Sequence, residues 1–331
     1  MTSFFEEFRK VILSDTFLSF ILDTNSSLEN LIIDGYKKNE HEPVIVEKIV
    51  NIFNNMTNGV VSLNRNYYLR IDSVFIHGNK SHVEFEYFGK SVTKELGDIL
   101  FLVYLKSKTS PMLKVSIVQV KKSPKESLYW DIDNAQLYLL SNFPKIQGKK
   151  GLFKGFCGKL KNISKNLGGY ILLNDKLGML YSSAVPIFET TWKLKNTNRI
   201  HRDELDCLFG LYHNSPPFTR CCVWFERYFN FPLCYFSVPG NCLIAENSSC
   251  FLAGLFSFSI GEPVYLRHQS VITNFLDNLY ASLVDTRKQE VIEFLSRNKS
   301  FWKHFDGVRF NEKDHSEDGG IGIVFVELGR E

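Results

Sequence analysis

The chain has 331 residues, enough to bury a substantial core as one large domain or two ordinary ones. Hydrophobic residues make up 44% and charged residues 23%, which excludes a disordered chain. A net charge of +3 neither demands nor excludes a nucleic-acid partner, so any such partner must be read from how the charge is distributed.

Phe4, Phe5, Phe8, Val11 and Ile12 fall at helical spacing and are followed by Phe17, Phe20 and Ile21. This predicts one or two short amphipathic helices over residues 3 to 22, either a partner-docking arm or helices packed on the core. Glu6 and Glu7 stand where a signal peptide is basic, and Asp15 interrupts the apolar run. The most apolar later run, Cys250 to Ile260, is far shorter than the ~20 residues of a spanning helix. The expectation is a cytoplasmic protein without membrane contact. Residues 24 to 42 are polar and read as a loop that completes an N-terminal arm, residues 1–42. A helix of about Pro43 to Asn55 begins with Pro at a position suited to it.

Tyr67 to His77 and His82 to Phe88 read as an antiparallel hairpin around Gly78-Asn79-Lys80, with Gly89 to Lys94 as a connection. Two apolar β-type runs then flank a turn at Ser107 to Pro111. The first opens with Glu95-Leu-Gly-Asp98, and the second closes with Gln119-Val-Lys121-Lys122. Side chains alternate faces along a strand, so Val115, Ile117, Gln119 and Lys121 share one face. A Gln and a Lys ending an apolar face need partners, because burying them unpaired is unfavourable. A metal-binding carboxylate on the neighbouring strand, Asp98, would supply one; Gly97 leaves space beside it.

Ile132, Ala135, Gln136 and Leu139 mark one face of a helix over about Asp131 to Asn142, with Gln136 the polar member of that stripe. From Asn134 to Asn174 there is no acidic residue. This span holds Lys145, Lys149, Lys150, Lys154, Lys159, Lys161 and Lys165, interleaved with glycines over residues 145–165. It reads as a flexible clamp for a phosphate backbone or as a solvated basic loop. Gly168 to Asn174 reads as a returning strand. Beyond it the chain is rich in Phe, Cys, Trp and Pro, with a helix near Arg202 to Tyr212 and breaks at Pro216-Pro217 and Phe231-Pro232. A strongly amphipathic helix follows from Val271 to Leu283, then a second through Arg297 capped by Asp285, and a final strand from Gly319 to Glu327.

The Asp, spacer, Gln-x-Lys pattern of Asp98, Gln119 and Lys121 resembles the PD-(D/E)XK nuclease superfamily, in the Mrr-like variant where Gln replaces the second acid. The resemblance covers about residues 40 to 175. It implies an α/β fold, a restriction-endonuclease-like core of residues 43–175 with a mixed central sheet flanked by helices. Residues 176–331 would form a C-terminal α+β extension of unassigned role. It further implies a Mg²⁺- or Mn²⁺-dependent endonuclease acting on DNA in a prokaryotic anti-phage defence setting. Asp98 and Gln119 would hold the metal, Lys121 would orient the attacking water, and either Glu47 or Glu95 would complete the site. Gln136 resembles the glutamine on the post-motif helix of RecB-like nucleases; a helix-edge Gln bonded to a backbone carbonyl is the other reading. Lys122, Lys149, Lys150, Lys154 and Lys159 are the expected DNA contacts. A catalytically silent or partner-gated subunit of a defence complex is the alternative function, and a homo-oligomer stays open.

Other chemistries lack their signatures. There is no Gly-x-Ser-x-Gly elbow, His-Glu-x-x-His helix or Gly-x-Gly-x-x-Gly turn, and Gly151-Leu-Phe-Lys-Gly155 lacks the Gly-Lys-Ser/Thr ending of a P-loop. The seven cysteines (157, 207, 221, 222, 234, 242 and 250) contain no Cys-x-x-Cys pair and are expected to be reduced and without zinc.

Overall fold

The computed structural model describes residues 15–56, 60–64, 67–77, 81–106, 111–192, 197–205, 235–237, 243–245, 247–266, 269–305 and 320–330. The expectations for residues 3–14, the turns at 78–80 and 107–110, the helix beyond 205, both proline breaks and Cys207, Cys221, Cys222, Cys234 and Cys242 lie outside these residues.

Helices α1 (Asp15–Lys37) and α2 (Glu42–Asn55) precede strands β1 (Val60–Asn64) and β2 (Tyr67–His77). Strands β3 (His82–Tyr87), β4 (Lys90–Glu95), β5 (Ile99–Lys106), β6 (Met112–Lys122) and β7 (Tyr129–Asp131) lead to α3 (Asn134–Asn142). Next come β8 (Ile146–Gly148), β9 (Cys157–Gly158), β10 (Gly168–Asn174), β11 (Gly178–Ser183), α4 (Ala184–Ile187) and β12 (Arg199–His201). The last part holds β13 (Tyr235–Ser237), β14 (Leu243–Ala245), α5 (Ser248–Phe256) and β15 (Glu262–Tyr265). Helices α6 (Val271–Thr286), α7 (Gln289–Arg297) and α8 (Lys299–Trp302) then lead to β16 (Gly320–Arg330).

A ten-stranded mixed sheet runs in the order β1-β2-β16-β5-β6-β10-β11-β14-β13, with β15 added on the first part of β6. Strand β16 is antiparallel to β2 and parallel to β5; β5 and β6 are antiparallel, and β10 is parallel to β6. The alternation of β6 feeds both faces. Val115 and Ile117 enter a core shared with α3 and α6, while Val118 and Val120 enter one shared with α1, α2 and α5. The chain is thus a mixed α/β protein whose central sheet is covered by helices on both sides, as expected. Among the described residues no helix is long and apolar enough to cross a membrane.

Several local expectations need correction. Residues 24–37 are not a loop but most of α1, whose buried Thr24, Leu28, Ile32 and Tyr36 form a stripe at helical spacing inside a polar run. That helix packs on α5, with Phe17 edge-on to Phe256, so residues 15–37 belong to the core rather than to a separate arm. Strands β2 and β3 are not a hairpin. Strand β2 lies between β1 and β16, whereas β3 joins β4, β8 and β9 in a second sheet. Gly89 to Lys94 is not a mere connection, since β4 pairs with β3 along its length. Asp285 lies inside α6 and caps nothing; α6 ends at Arg287 in the left-handed region, and α7 starts at Lys288 without a side-chain cap.

The boundary at residue 175 also falls. The β10–β11 hairpin crosses it, and β16 fills the gap between β2 and β5. Gly322 permits this insertion, because a Cβ there would stand 2.3 Å from the Val50 Cγ2 of α2. Residues 43–175 expressed alone should therefore lack a cooperative thermal transition and dispersed amide resonances. Without β16 and α5 the long buried strands β2 and β5 are left as bare edges. A sharp transition in that fragment would show that the first half folds independently.

Candidate active site

The antiparallel pairing of β5 and β6 brings the start of one beside the end of the other, with Ile99 opposite Val118. Asp98 immediately precedes β5 and is anchored by its own backbone: its N–H donates to Val118 O (2.9 Å), and its carbonyl accepts from the N–H of Gly322 in β16 (2.8 Å). Gly97 is required next to it, since a Cβ there would meet Ile117 Cγ2 at 2.8 Å. The first turns of α2 and α3 close the space. The result is a cleft of about 260 Å³ lined by Glu42, Glu95, Asp98, Gln119, Lys121 and Gln136, with Lys94 and Asp133 at its side.

Two glutamines hold the Asp98 carboxylate. Gln136 Nε2 donates to the backbone carbonyl of Glu95 (3.1 Å) and to Gln119 Oε1, and Gln119 Nε2 donates to Asp98 Oδ2. The chain has one consistent polarity. A backbone carbonyl only accepts, so the Gln136 amide group faces it; Gln119 must then present its oxygen to Gln136 and its NH₂ to Asp98. The backbone N–H of Val120 adds a second donor to Oδ2 at 2.7 Å. The Gln119 oxygen, expected to face a metal, here accepts from Gln136, and the Gln119 amide group positions Asp98. Gln136 has both of its expected properties, a place in the cleft and a bond to a backbone carbonyl.

Lys121 is paired with an acid that sequence reasoning missed. Its Nζ donates to Glu42 Oε1 at 3.0 Å, while Glu42 Oε2 accepts from the backbone N–H of Lys122 at 2.8 Å. Glu42 lies in the first turn of α2, directly before Pro43. The signal was present, because a Pro at the start of a helix puts the preceding acid in the first turn beside whatever that turn faces. Assigning residue 42 to a loop hid it. Glu47, one of the two expected completing acids, instead faces His77 (3.4 Å) and lies outside the cleft. One helical turn and more separates it from Glu42, so it projects from a different face of α2. Glu95, the other expected acid, lines the cleft.

Burial pushes the Asp98 carboxyl up to about 8. Lys121 and the Val120 N–H oppose that rise, and the nearby Glu95 and Glu42 charges add to it. Lys121 is held above the usual lysine range: its own burial works against the charge, but Glu42 and Asp98 outweigh it. The cleft therefore gathers three acids around one ammonium. Among the described residues no group of three or more His, Cys, Asp or Glu side chains forms a ready-made metal cage.

The lysines expected on DNA divide. Lys122 Nζ donates to Glu40 O (2.6 Å) over the Tyr36 ring, and Lys149 pairs with Glu84 (2.6 Å). Both are committed within the fold. Lys150 and Lys159 are exposed, and Lys154 is half-buried. The segment is not a loose loop: β8 and β9 belong to the second sheet, and Phe153 stacks on Phe275 of α6 with centroids 4.4 Å apart. Of the two described cysteines Cys157 is exposed and Cys250 buried, and both are free thiols. Compared with family models, with curated proteins and with solved structures, the chain matches none.

The raised Asp98 has a defined linkage. Its folded pKa of about 8 lies above the ordinary carboxylate value, so the folded state holds the proton where the unfolded chain has lost it. Its contribution is thus fully present at acid pH and is lost as pH rises from about 4 through about 8. Urea unfolding across that range should show the loss. Asp98→Asn, whose oxygen still accepts from Gln119 and Val120, should flatten it and unfold later than wild type above pH 8. An Asp98→Asn profile parallel to wild type would place the titration elsewhere.

Proposed function

We propose that the chain is a metal-dependent nuclease of the PD-(D/E)XK type that cleaves DNA phosphodiester bonds, acting in the cytoplasm in an anti-phage defence setting. The observation that carries this reading is the convergence of Asp98, Lys121 and Glu95 in one cleft at the carboxyl end of the parallel pair β6 and β10. Such strand ends are where open α/β sheets bind ligands.

The donor set suits a hard divalent cation such as Mg²⁺ or Mn²⁺, which takes oxygen ligands and is held by one or two carboxylates. Asp98 Oδ1 accepts no hydrogen bond from the described residues, and burial, helped by the Glu95 and Glu42 charges, raises the carboxyl despite Lys121 beside it. Asp98 would be the principal ligand and Glu95 a supporting one. When bound, the cation supplies charge neutralisation at the scissile phosphate and acidifies a water.

The chain's own groups do the rest. Gln119 and Gln136 fix the direction of the Asp98 carboxylate, so it need not reorganise during reaction. Lys121, 20% exposed and held by Glu42, points a fixed ammonium into the cleft. There it orients an attacking water and offsets the charge that develops on the phosphorane. The first turn of α2 also directs its N-terminal dipole to the same space, which favours an anionic substrate.

A second reading has its own observation. With Lys121 paired to Glu42 and the Gln119 amide bonded at both its oxygen and its nitrogen, these polar groups of the cleft have partners within the fold. That suits a catalytically silent or partner-gated subunit of a defence complex. Cleavage of DNA with Mg²⁺ and Mn²⁺, by the chain alone and with products of neighbouring genes, separates the two.

Under the nuclease reading Lys121→Ala should lower cleavage by ~10²–10³ while DNA affinity changes little, because the ammonium acts mainly in the transition state. Glu42→Gln combined with Lys121→Ala serves as the control for fold. Cleavage at the wild-type rate by Lys121→Ala would sink this assignment. Gln119→Glu should lower stability rather than improve metal binding: it replaces the amide that donates to Asp98 Oδ2 with a second acid in a buried site. Unfolding midpoints with and without Mg²⁺ read both effects.

A further inference from the structure

Strands β3 and β4 are joined by a two-residue turn, Phe88-Gly89, with Tyr87 opposite Lys90. Both turn residues have positive φ, 48° and 74°. Such turns normally take Asn or Asp followed by Gly, and a phenylalanine there carries backbone strain. The strain holds a large ring out in solvent, since Phe88 is 62% exposed. The ring is part of a cluster. Its centroid lies 5.7 Å from that of Tyr138 on α3, Tyr87 lies 5.3 Å from Tyr138, and Tyr138 lies 6.2 Å from Phe188.

Phe188 carries this aromatic surface into a groove of about 720 Å³, whose lining includes Leu160, Val271, Lys159 and Lys161. The loop that bears the lysines is built to stay in place. Buried Glu262 accepts from the N–H groups of Ile163 (3.1 Å) and Ser164 (2.8 Å), and Asn162 Oδ1 accepts from the Leu167 N–H at 3.0 Å. Lys159 and Lys161 are exposed and make no ion pair among the described residues. The whole stretch from Asn134 to Asn174 lacks an acid, and the groove's lining sets Lys159, Lys161 and Lys165 against one acid, Glu189.

We propose that this surface binds a single-stranded nucleic-acid segment, with bases against Phe88 and Tyr138 and phosphates at Lys159 and Lys161. Charge decides for an anionic chain, and the aromatic turn decides for a single strand. A duplex keeps its base faces inside its own stack, whereas a single strand offers them to exposed rings. Helix α3 contributes to both places from different faces, Gln136 to the cleft and Tyr138 to this surface. The proposal rests on the nuclease reading for the purpose of binding, not for binding itself.

Anisotropy of a fluorescein-labelled single-stranded DNA, a single-stranded RNA and the matching DNA duplex, titrated with full-length protein in EDTA, tests it without cleavage. Phe88→Asn removes the ring but suits the turn, so thermal stability should hold or rise while single-strand affinity falls about 5- to 150-fold, the loss of one stacked base. Phe88→Tyr should restore it. Lys159→Gln with Lys161→Gln should reduce the log–log salt slope by about 1.4, two phosphate contacts on a single strand. A duplex bound more tightly than either single strand overturns the proposal. So does single-strand affinity unchanged in both variants, which would assign the aromatic turn to a protein partner. Variants that behave as expected in a protein that cleaves nothing with Mg²⁺ or Mn²⁺ uphold this surface and remove the nuclease reading.

Discussion

Strand β16 pairs on both edges over most of its length, antiparallel to β2 and parallel to β5, and much of the molecule hangs on that double pairing. Buried charges fix its register. Glu327 accepts from Tyr68 Oη at 2.8 Å and meets Arg70 at 3.3 Å, while Asp72 on the paired strand receives two bonds from Arg297 and one from Asn298 Nδ2, each 2.8 Å. A one-residue slip of β16 would point Glu327 to the opposite face, away from Tyr68 and Arg70. The same strand reaches the cleft through the Gly322 N–H bond to Asp98. Docking of the chain's last strand therefore fixes the residue on which the site is centred.

The cleft itself is unbalanced by design of its neighbours. Three carboxylates face one ammonium, and the best-held of them, Asp98, is the one burial makes least willing to ionise. Fixed donors from Gln119 and Val120 hold its position, yet they do not offset the desolvation. A buried carboxyl held rigidly where ionisation is disfavoured is a local sacrifice of stability. The structural ion network around Glu327 and Asp72 differs in kind, because each of its acids has basic partners at hand.

Legibility in the sequence followed the range of the interactions. The β5–β6 pair, the common face of Gln119 and Lys121, and the Gln136 position on α3 rest on periods of two and 3.6 residues. Gln119 was placed correctly, but the orientation of its amide, set by Gln136 and through it by Glu95 O, is something no spacing rule encodes. Glu42 was missed and Glu47 preferred because a helix boundary set one residue late moved an acid out of the first turn. In α1, the five buried positions from Thr24 to Tyr36, set among polar ones, were read as a loop where only a full-length stripe marks the helix.

The amino-acid sequence by itself determined which residues alternate, which stripe a helix buries and where a polar side chain interrupts an apolar face. Those are properties of neighbours along the chain. Tertiary structure alone decided that β2 and β3 belong to different sheets, that no boundary falls at residue 175, and that Glu42 rather than Glu47 meets Lys121. Each of these depends on a contact between distant segments. Such pairing is chosen by the burial of whole strands and helices together, and backbone hydrogen bonds, alike in every residue but proline, leave no mark of their partner in the sequence.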